Sequence, residues 1–431
     1  MSRRCFRNCP TGRAVGCLLV AALVCLVGSP GFAQTAPPAV SLTLPDAVRA
    51  ALERQPRIAA ERASVAAAED SKRALDDLRL AGLVEHDLPI RRRQAELGIA
   101  AAAAGVDVAE RDTVYAVTRT YYGVLYAREQ ERLTRSVVQQ LTALNETAEK
   151  MLKEGARDVT AAHVKQIGVY LRLARARQVQ AAEGEKRALA ALKEAIGLGQ
   201  ECRLAVPPGR LPEPDVRPCR DEILALALSR RGELTQAHLF AEVACLEVAA
   251  QGMSVHLRKE TFAAGSDIHS SQVPQAIHDG DYRPGGVPPA MPTLLVGSRA
   301  NRVQVARSYH TRAAAVVETA RNLISLEAED AFLRWEEASL QVPEARAAAD
   351  AADRLAEDLN KDMAAGLRVR PDEVVTARVL AAQARGQYND ALYNGIRALA
   401  DLERITAGGF CARLTEAPVT LPKQEEKKPE K

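Results

Sequence analysis

Three histidines and three aspartates share one irregular stretch of this sequence: His256, His269 and His278 with Asp267, Asp279 and Asp281. These residue types can hold a transition metal. Their intervals match neither ligands on one helix face nor a tight ligand loop, so solvated loop residues are the expectation and no metal is assigned. Cys202 and Cys219 bracket a proline- and glycine-rich run, "GLGQECRLAVPPGRLPEPDVRPC". Two readings stand for them. In an oxidising compartment they form a disulfide, worth about 3 kcal/mol in the chain-entropy picture; otherwise they are two unpaired thiols, because spacing alone does not establish proximity. Cys245 and Cys411 carry no motif. The chain has no phosphate-binding glycine loop and no nucleophile elbow. Acids along its periodic segments mostly have basic neighbours, as solvated helix faces do. No catalytic residue and no cofactor is assigned, and the expectation is a protein that is not an enzyme.

The elements that would carry such residues are unusual. Apolar residues make up 47% of 431 residues but aromatic ones only 4%. A compact core needs bulky side chains, whereas closely packed helices accept alanine at their contacts. A composition rich in Ala, Glu, Lys, Leu and Arg with helical periodicity points to long helices or coiled coil.

Residues 1–33 are a separate object. Arg3, Arg4, Arg7 and Arg13 precede the apolar run "AVGCLLVAALVCLVG", and "GFA" before Gln34 supplies a small-residue cleavage site. This reads as a secretory signal. No later run approaches the roughly 20 apolar residues of a membrane-spanning helix. Without that leader, 54 basic face 55 acidic side chains, so no nucleic-acid partner is indicated.

Residues 34–41 form a short lead-in, and 42–200 a first structural repeat. The linker spans 201–219, a second repeat 220–410, and a charged, disordered tail 411–431. "LTLPDAVRAALERQPRIAAERASVAAAE" (42–69) and "CRDEILALALSRRGELTQAHLFAEVACLE" (219–247) share an apolar rhythm at an offset of 176, with Gly232 standing where the first copy has Pro56. A helix break is expected at both. A pair of long helices follows each copy. In the first, Val117, Tyr121, Val124, Val137, Leu141, Leu144 and Met151 keep the steps of a coiled-coil seam. That helix is expected from Val114 to Lys153, about 60 Å long. "KEGARD" turns the chain at Gly155, and Val164, Ile167 and Leu171 open the return. In the second, Phe332, Trp335, Leu355 and Leu359 lead out, a bend is expected at Pro343, and "MAAGLRVRPDE" makes the turn. Residues 255–303 break the helical pattern. They are either a long loop or the source of short strands such as "TFAAGSDIH" and "TLLVGSR".

At this point the residues resemble the TolC-like outer-membrane efflux proteins, over roughly 42–408. "LTLPDAVRAALERQP" looks like that family's opening helices. The turns resemble its hairpin tips, where a glycine is followed by an acid-Val-x-x-Ala run. One tip gives Gly366 and Leu367 and then "EVVTA", with Glu373, Val374 and Ala377; the other gives Gly155 and then "DVTAA", with Asp158, Val159 and Ala162. The resemblance implies a mainly α fold: duplicated antiparallel coiled-coil hairpins that form a trimeric α-barrel. It also implies a β-barrel in outer-membrane lipid, and a periplasmic adaptor and inner-membrane pump as partners. Gly155, Gly366 and Leu367 would dock the adaptor, and Asp158 and Glu373 would line the pore aperture. The other reading of Asp158 is a helix-start acid satisfying exposed amides.

Two departures shape the expectation. Three positions separate Gly155 from Asp158 against seven from Gly366 to Glu373, so the first tip is shorter. "LAGLVEHDLPIRRRQAELG" leaves almost no room for a first β-hairpin, so the barrel portion is expected to be small or degenerate. The expected function is a passive duct exporting small molecules or peptides. The alternatives are a periplasmic coiled-coil scaffold without a working barrel and, with no acid pair to support it, a peptidoglycan-active enzyme.

Overall fold

The computed structural model describes residues 40–78, 85–155, 159–213, 215–262, 291, 294–365, 367 and 369–414. All lie within the compact unit Ala39–Lys431. The expected leader falls outside the described residues.

The chain is written twice in helix lengths. Helix α1 (Leu44–Arg54) and α2 (Pro56–Asp77) precede α3 (Leu88–Lys153) and α4 (Ala161–Ile196). Their counterparts are α5 (Arg220–Arg230), α6 (Gly232–Met253), α7 (Arg299–Ala364) and α8 (Pro371–Ile405). The first two helices have 11 and 22 residues in each repeat, and the outgoing helices have 66 in each. The two breaks are also alike. Gln55 (φ −65°, ψ 120°) and Arg231 (φ −65°, ψ 124°) leave the helical region immediately before Pro56 and Gly232. Proline disfavours helical backbone at the residue before it. Glycine follows the second break for a packing reason, because a Cβ at 232 would meet the Ala104 carbonyl oxygen at 2.7 Å.

One expectation needs correction. The first outgoing helix begins at Leu88, not near Val114, and at 66 residues is about 99 Å long. The second contains Pro343 within a continuous helix. Each outgoing helix lies along its return partner, α3 on α4 and α7 on α8, and α3 also packs on α2, α6 and α8. Alanine makes the close approach possible. Ala349, Ala352 and Ala356 of α7 meet Ala377, Ala381 and Ala384 of α8 in a cluster whose buried members are all alanine. The largest cluster sits where both repeats converge, with Val117, Tyr122 and Val124 of α3, Ile223 of α5, Ile324 of α7 and Ile396, Leu399 and Leu402 of α8.

Strands are few among the described residues. Strand β1 (Val40–Ser41) pairs in parallel with β2 (Leu204–Ala205) in the interrepeat linker. Strand β3 (Arg258–Glu260) pairs antiparallel with β4 (Leu294–Val296), with Lys259 opposite Leu295. The roomy 255–303 segment is thus the base of one strand pair. In the first repeat only ten residues, 78–87, join α2 to α3. Two membrane strands of about 9–11 residues each do not fit there. Glu85 of that link accepts from Lys259 Nζ at 2.8 Å, and Arg91 in the first turn of α3 donates to the Glu260 carbonyl, so both brace the other repeat's strands.

Candidate functional site

The residues singled out by the turns lie at the far ends of the long hairpins. Helix α3 ends at Lys153, and Gly155 reverses the chain with φ +76°, backbone that suits glycine. Asp158 lies outside the described residues. Helix α4 starts with a capping box: the Thr160 hydroxyl accepts from the His163 amide at 3.3 Å, and His163 Nδ1 accepts from the Thr160 amide at 3.4 Å.

At the other tip Gly366 lies outside the described residues. Leu367 is 58% exposed, an apolar side chain presented at the extreme end of the hairpin. Its amide donates to the Asp362 carbonyl at 3.0 Å. Glu373 points back to its own helix start, where it accepts from the Arg370 amide at 3.4 Å. Its carboxylate therefore caps α8. Arg370 grips Asp372 with a two-nitrogen fork, and this ion pair holds the Asp372 carboxyl below the usual carboxylate range. His163 of the opposite tip adds in the same direction. Sequence reasoning passed over both Arg370 and His163. The available signal was their spacing, two residues before an acid and three after a cap threonine.

The two tips form one body. Val159, Ile167 and Leu171 from the α4 side share a buried cluster with Leu141, Leu144 and Ala148 of α3 and Val374 and Val375 of α8. Arg378 Nη1 donates to Gln140 Oε1 at 2.6 Å across the seam. Gly155, Leu367 and Glu373 thus belong to a single apolar-cored end with a charged rim.

Above it α4 and α8 separate over α3, leaving an open groove of about 930 Å³ lined by Leu133, Leu173, Val379 and Gln383 among others. Tyr126 also lines it; its hydroxyl donates to Asp390 at 2.6 Å and its ring stacks on Tyr393 at 4.8 Å. Burial and that bond raise the Tyr126 hydroxyl's pKa, so it stays a donor.

The other candidates are not brought together. His256 Nε2 is 3.6 Å from Glu85 Oε1. His269, His278, Asp267, Asp279 and Asp281 lie outside the described residues, among which no cluster of three metal-ligating side chains occurs. Cys202 and Cys219 are both free and exposed, so the disulfide that their spacing allowed is not formed here. Among the described residues no helix is long and apolar enough to cross a membrane.

A second polar feature, unanticipated from sequence, is buried at the other end of α3. Glu247 of α6 is fully buried and accepts from Arg91 Nη2 at 3.2 Å, Gln94 Nε2 at 3.0 Å and Gln251 Nε2 at 2.7 Å. Gln251 in turn accepts from buried Arg302 of α7 at 2.9 Å. This knot fixes α3, α6 and α7 beside the base of the strand pair.

Duplicated long hairpins with joined tips give this chain the TolC-like fold of solved outer-membrane channels. Among solved structures, the outer-membrane channel OprN superposes with a TM-score of 0.68 at 16% identity, over 85% of this chain and 90% of that one. The outer membrane protein VceC from Vibrio cholerae gives 0.65 at 14% identity, over 85% and 96%. The open-state MtrE outer membrane channel of Neisseria gonorrhoeae gives 0.63 at 14%, over 85% and 89%. No protein-family model matches the sequence, and no curated protein matches it.

Proposed function

We propose that this chain is one stave of a passive export duct at the outer membrane. Three copies form a helical tube across the periplasm, which carries small molecules or peptides from an inner-membrane pump to the exterior. The observation that carries this reading is the pair of 66-residue outgoing helices, each folded back as an antiparallel hairpin and joined at the tips. Rods of about 99 Å with alanine seams have too little bulky surface to stand as a globule. The duct does no chemistry; the pump supplies the energy.

The tip residues take roles by position. Gly155, Gly366 and Leu367 form the surface that meets a periplasmic adaptor, with Leu367 as its apolar contact. Asp158 and Glu373 sit at the aperture, where symmetry would repeat each carboxylate around a narrow aqueous path. Such a ring favours cations and repels anions. The N-terminal leader exports the chain, and the β3–β4 pair is its contact with outer-membrane lipid.

One observation favours a second reading, a periplasmic coiled-coil scaffold: the ten-residue α2–α3 link, which removes one strand pair per copy. Fractionation separates the two. Detergent-resistant trimers in the outer-membrane fraction, conducting ions in a planar lipid bilayer, support the duct. A soluble periplasmic protein without conductance overturns it.

A further inference from the structure

The two outgoing helices both begin with arginines and use them differently. In α3 each is answered from within the chain: Arg91 by Asp87 and Glu247, Arg92 by Asp76, and Arg93 by Glu96 and Glu242. From Arg299 to Val317, α7 carries four arginines and no acid. Arg302 is buried and gives its guanidinium to the Gly297 and Ser254 carbonyls and to Gln251. Arg312 is half-buried and partnered. Arg299 and Arg307 stand eight residues apart, on one broad side of the helix. Both are exposed, and neither forms an ion pair with a described residue. Arg258, opposite Val296 in the strand register, is exposed and unpaired in the same sense.

Bare apolar side chains sit beside these cations. Val255 and Leu257, just before β3, are 76% and 73% exposed, and Leu294 and Val296 of β4 are 43% and 58% exposed. Directly opposed residues of an antiparallel pair share a face, and side chains alternate along each strand. Arg258, Glu260, Leu294 and Val296 therefore lie on one face of the pair. The other face turns inward, where Lys259 meets Glu85 and Asp87 and Leu295 is buried. Glu260 is the one acid on the outer face among the described residues. A partner that fits must cover apolar side chains and supply anions together; an apolar surface alone would leave the guanidiniums without counter-ions.

The order of the two chemistries is that of a lipid leaflet. Arg299 opens the helical body, and Val296 lies three residues beyond it, at most about 10 Å away. The polar zone of a bilayer leaflet is of similar depth, about 5–8 Å, and arginine's long stem spans the difference. We propose that this edge seats on a leaflet carrying anionic phospholipid, with the three guanidiniums on phosphodiester headgroups and the four apolar side chains among the acyl chains. Guanidinium forks match phosphate oxygens in pairs. That the leaflet is the periplasmic one of the outer membrane rests on the duct reading; the preference for anionic headgroups does not.

The test is flotation of the purified full chain with vesicles of phosphatidylcholine alone and of phosphatidylcholine mixed equally with phosphatidylglycerol. Binding to the anionic vesicles should be the stronger and should fall as salt rises. An Arg258→Gln, Arg299→Gln, Arg307→Gln chain should lose that preference by at least about tenfold, and lysine at the same three positions should restore most of it. Arg172→Gln, Arg175→Gln, Arg354→Gln, the same charge change at exposed sites on the hairpins, should leave it intact. A Leu294→Ser, Val296→Ser chain should bind both vesicles more weakly, with helix content unchanged in every variant. No preference in the parent chain, or one that survives the first triple substitution, overturns the inference. Clustering without vesicles that the same substitution abolishes also overturns it, by making a second copy the occupant. An anionic preference without conductance keeps the anchor and removes the duct; conductance without the preference does the reverse.

Discussion

Replacing Glu247 with alanine tests whether the buried knot at the base of α3 holds the helices together. The substitution removes an acceptor of half-buried Arg91 and of buried Gln94 and Gln251. Arg91 keeps Asp87 Oδ2 at 3.1 Å, Gln94 Oε1 at 3.0 Å and the Glu260 carbonyl at 3.2 Å, but loses one of its two carboxylate partners. Removing one partner of a buried pair costs about 3–5 kcal/mol. For a unit running from Ala39 to Lys431, an unfolding entropy of about 0.8 kcal/mol/K converts this to a fall in midpoint of about 4–6 °C. The assay is a circular-dichroism melt at matched chain concentration, because assembly raises the apparent midpoint. A companion Arg91→Met, Glu247→Leu chain fills the site with apolar atoms and should lose much less than Glu247→Ala alone. A fall below about 1 °C for the single variant, or a double variant as weak as the two singles summed, refutes the reasoning.

Tyr122→Phe deletes one buried hydroxyl bond to the Leu414 carbonyl, costing about 1 kcal/mol; faster amide exchange over 410–414 is the readout. Gly232→Ala drives a Cβ to 2.7 Å from both the Ala104 carbonyl oxygen and Val108 Cγ2. It should destabilise by about 1–3 kcal/mol, seen as a lower melting midpoint; an unchanged midpoint would mean that α6 does not press on α3. Burial raises the Glu403 carboxyl above its ordinary 4.5, so the folded chain holds that proton more tightly than the unfolded chain. The resulting stability is full below that ordinary value and is lost as pH rises through the folded one. Glu403→Gln should flatten that decline in melts taken across the range, and an unaltered slope would assign it to another group.

Much of the helical plan was legible because its signals are local. Pro56 breaks the first repeat by its own covalent geometry, and glycine at 155 and 366 marks the turns. The length of α3 was not legible. "LAGLVEHDLPIRRRQAELG" reads as a passage between two helices, yet from Leu88 it is already α3, secured by Gln94 and Arg91 bonding to Glu247, over 150 residues away. A hint was present in "AEVACLEVAAQ", where Glu247 and Gln251 interrupt an apolar face. The tip was half legible. Leu367 and Glu373 lie at one end as the turns imply, but the capping duty of Glu373 depends on where Arg370 places its amide, which spacing does not reveal.

The ten-residue α2–α3 link bears on the outer orifice of any such tube. Among the described residues β3–β4 is the strand pair beside the 78–87 link, so a proposed ring of three copies would bring six such strands. The smallest single-chain outer-membrane cylinders use eight, and eight already close around a lumen filled by side chains. Six strands closed on one another would stopper the bore. A bore that stays open at that end therefore requires these six strands to remain splayed, with their free edges paired or covered by something beyond them.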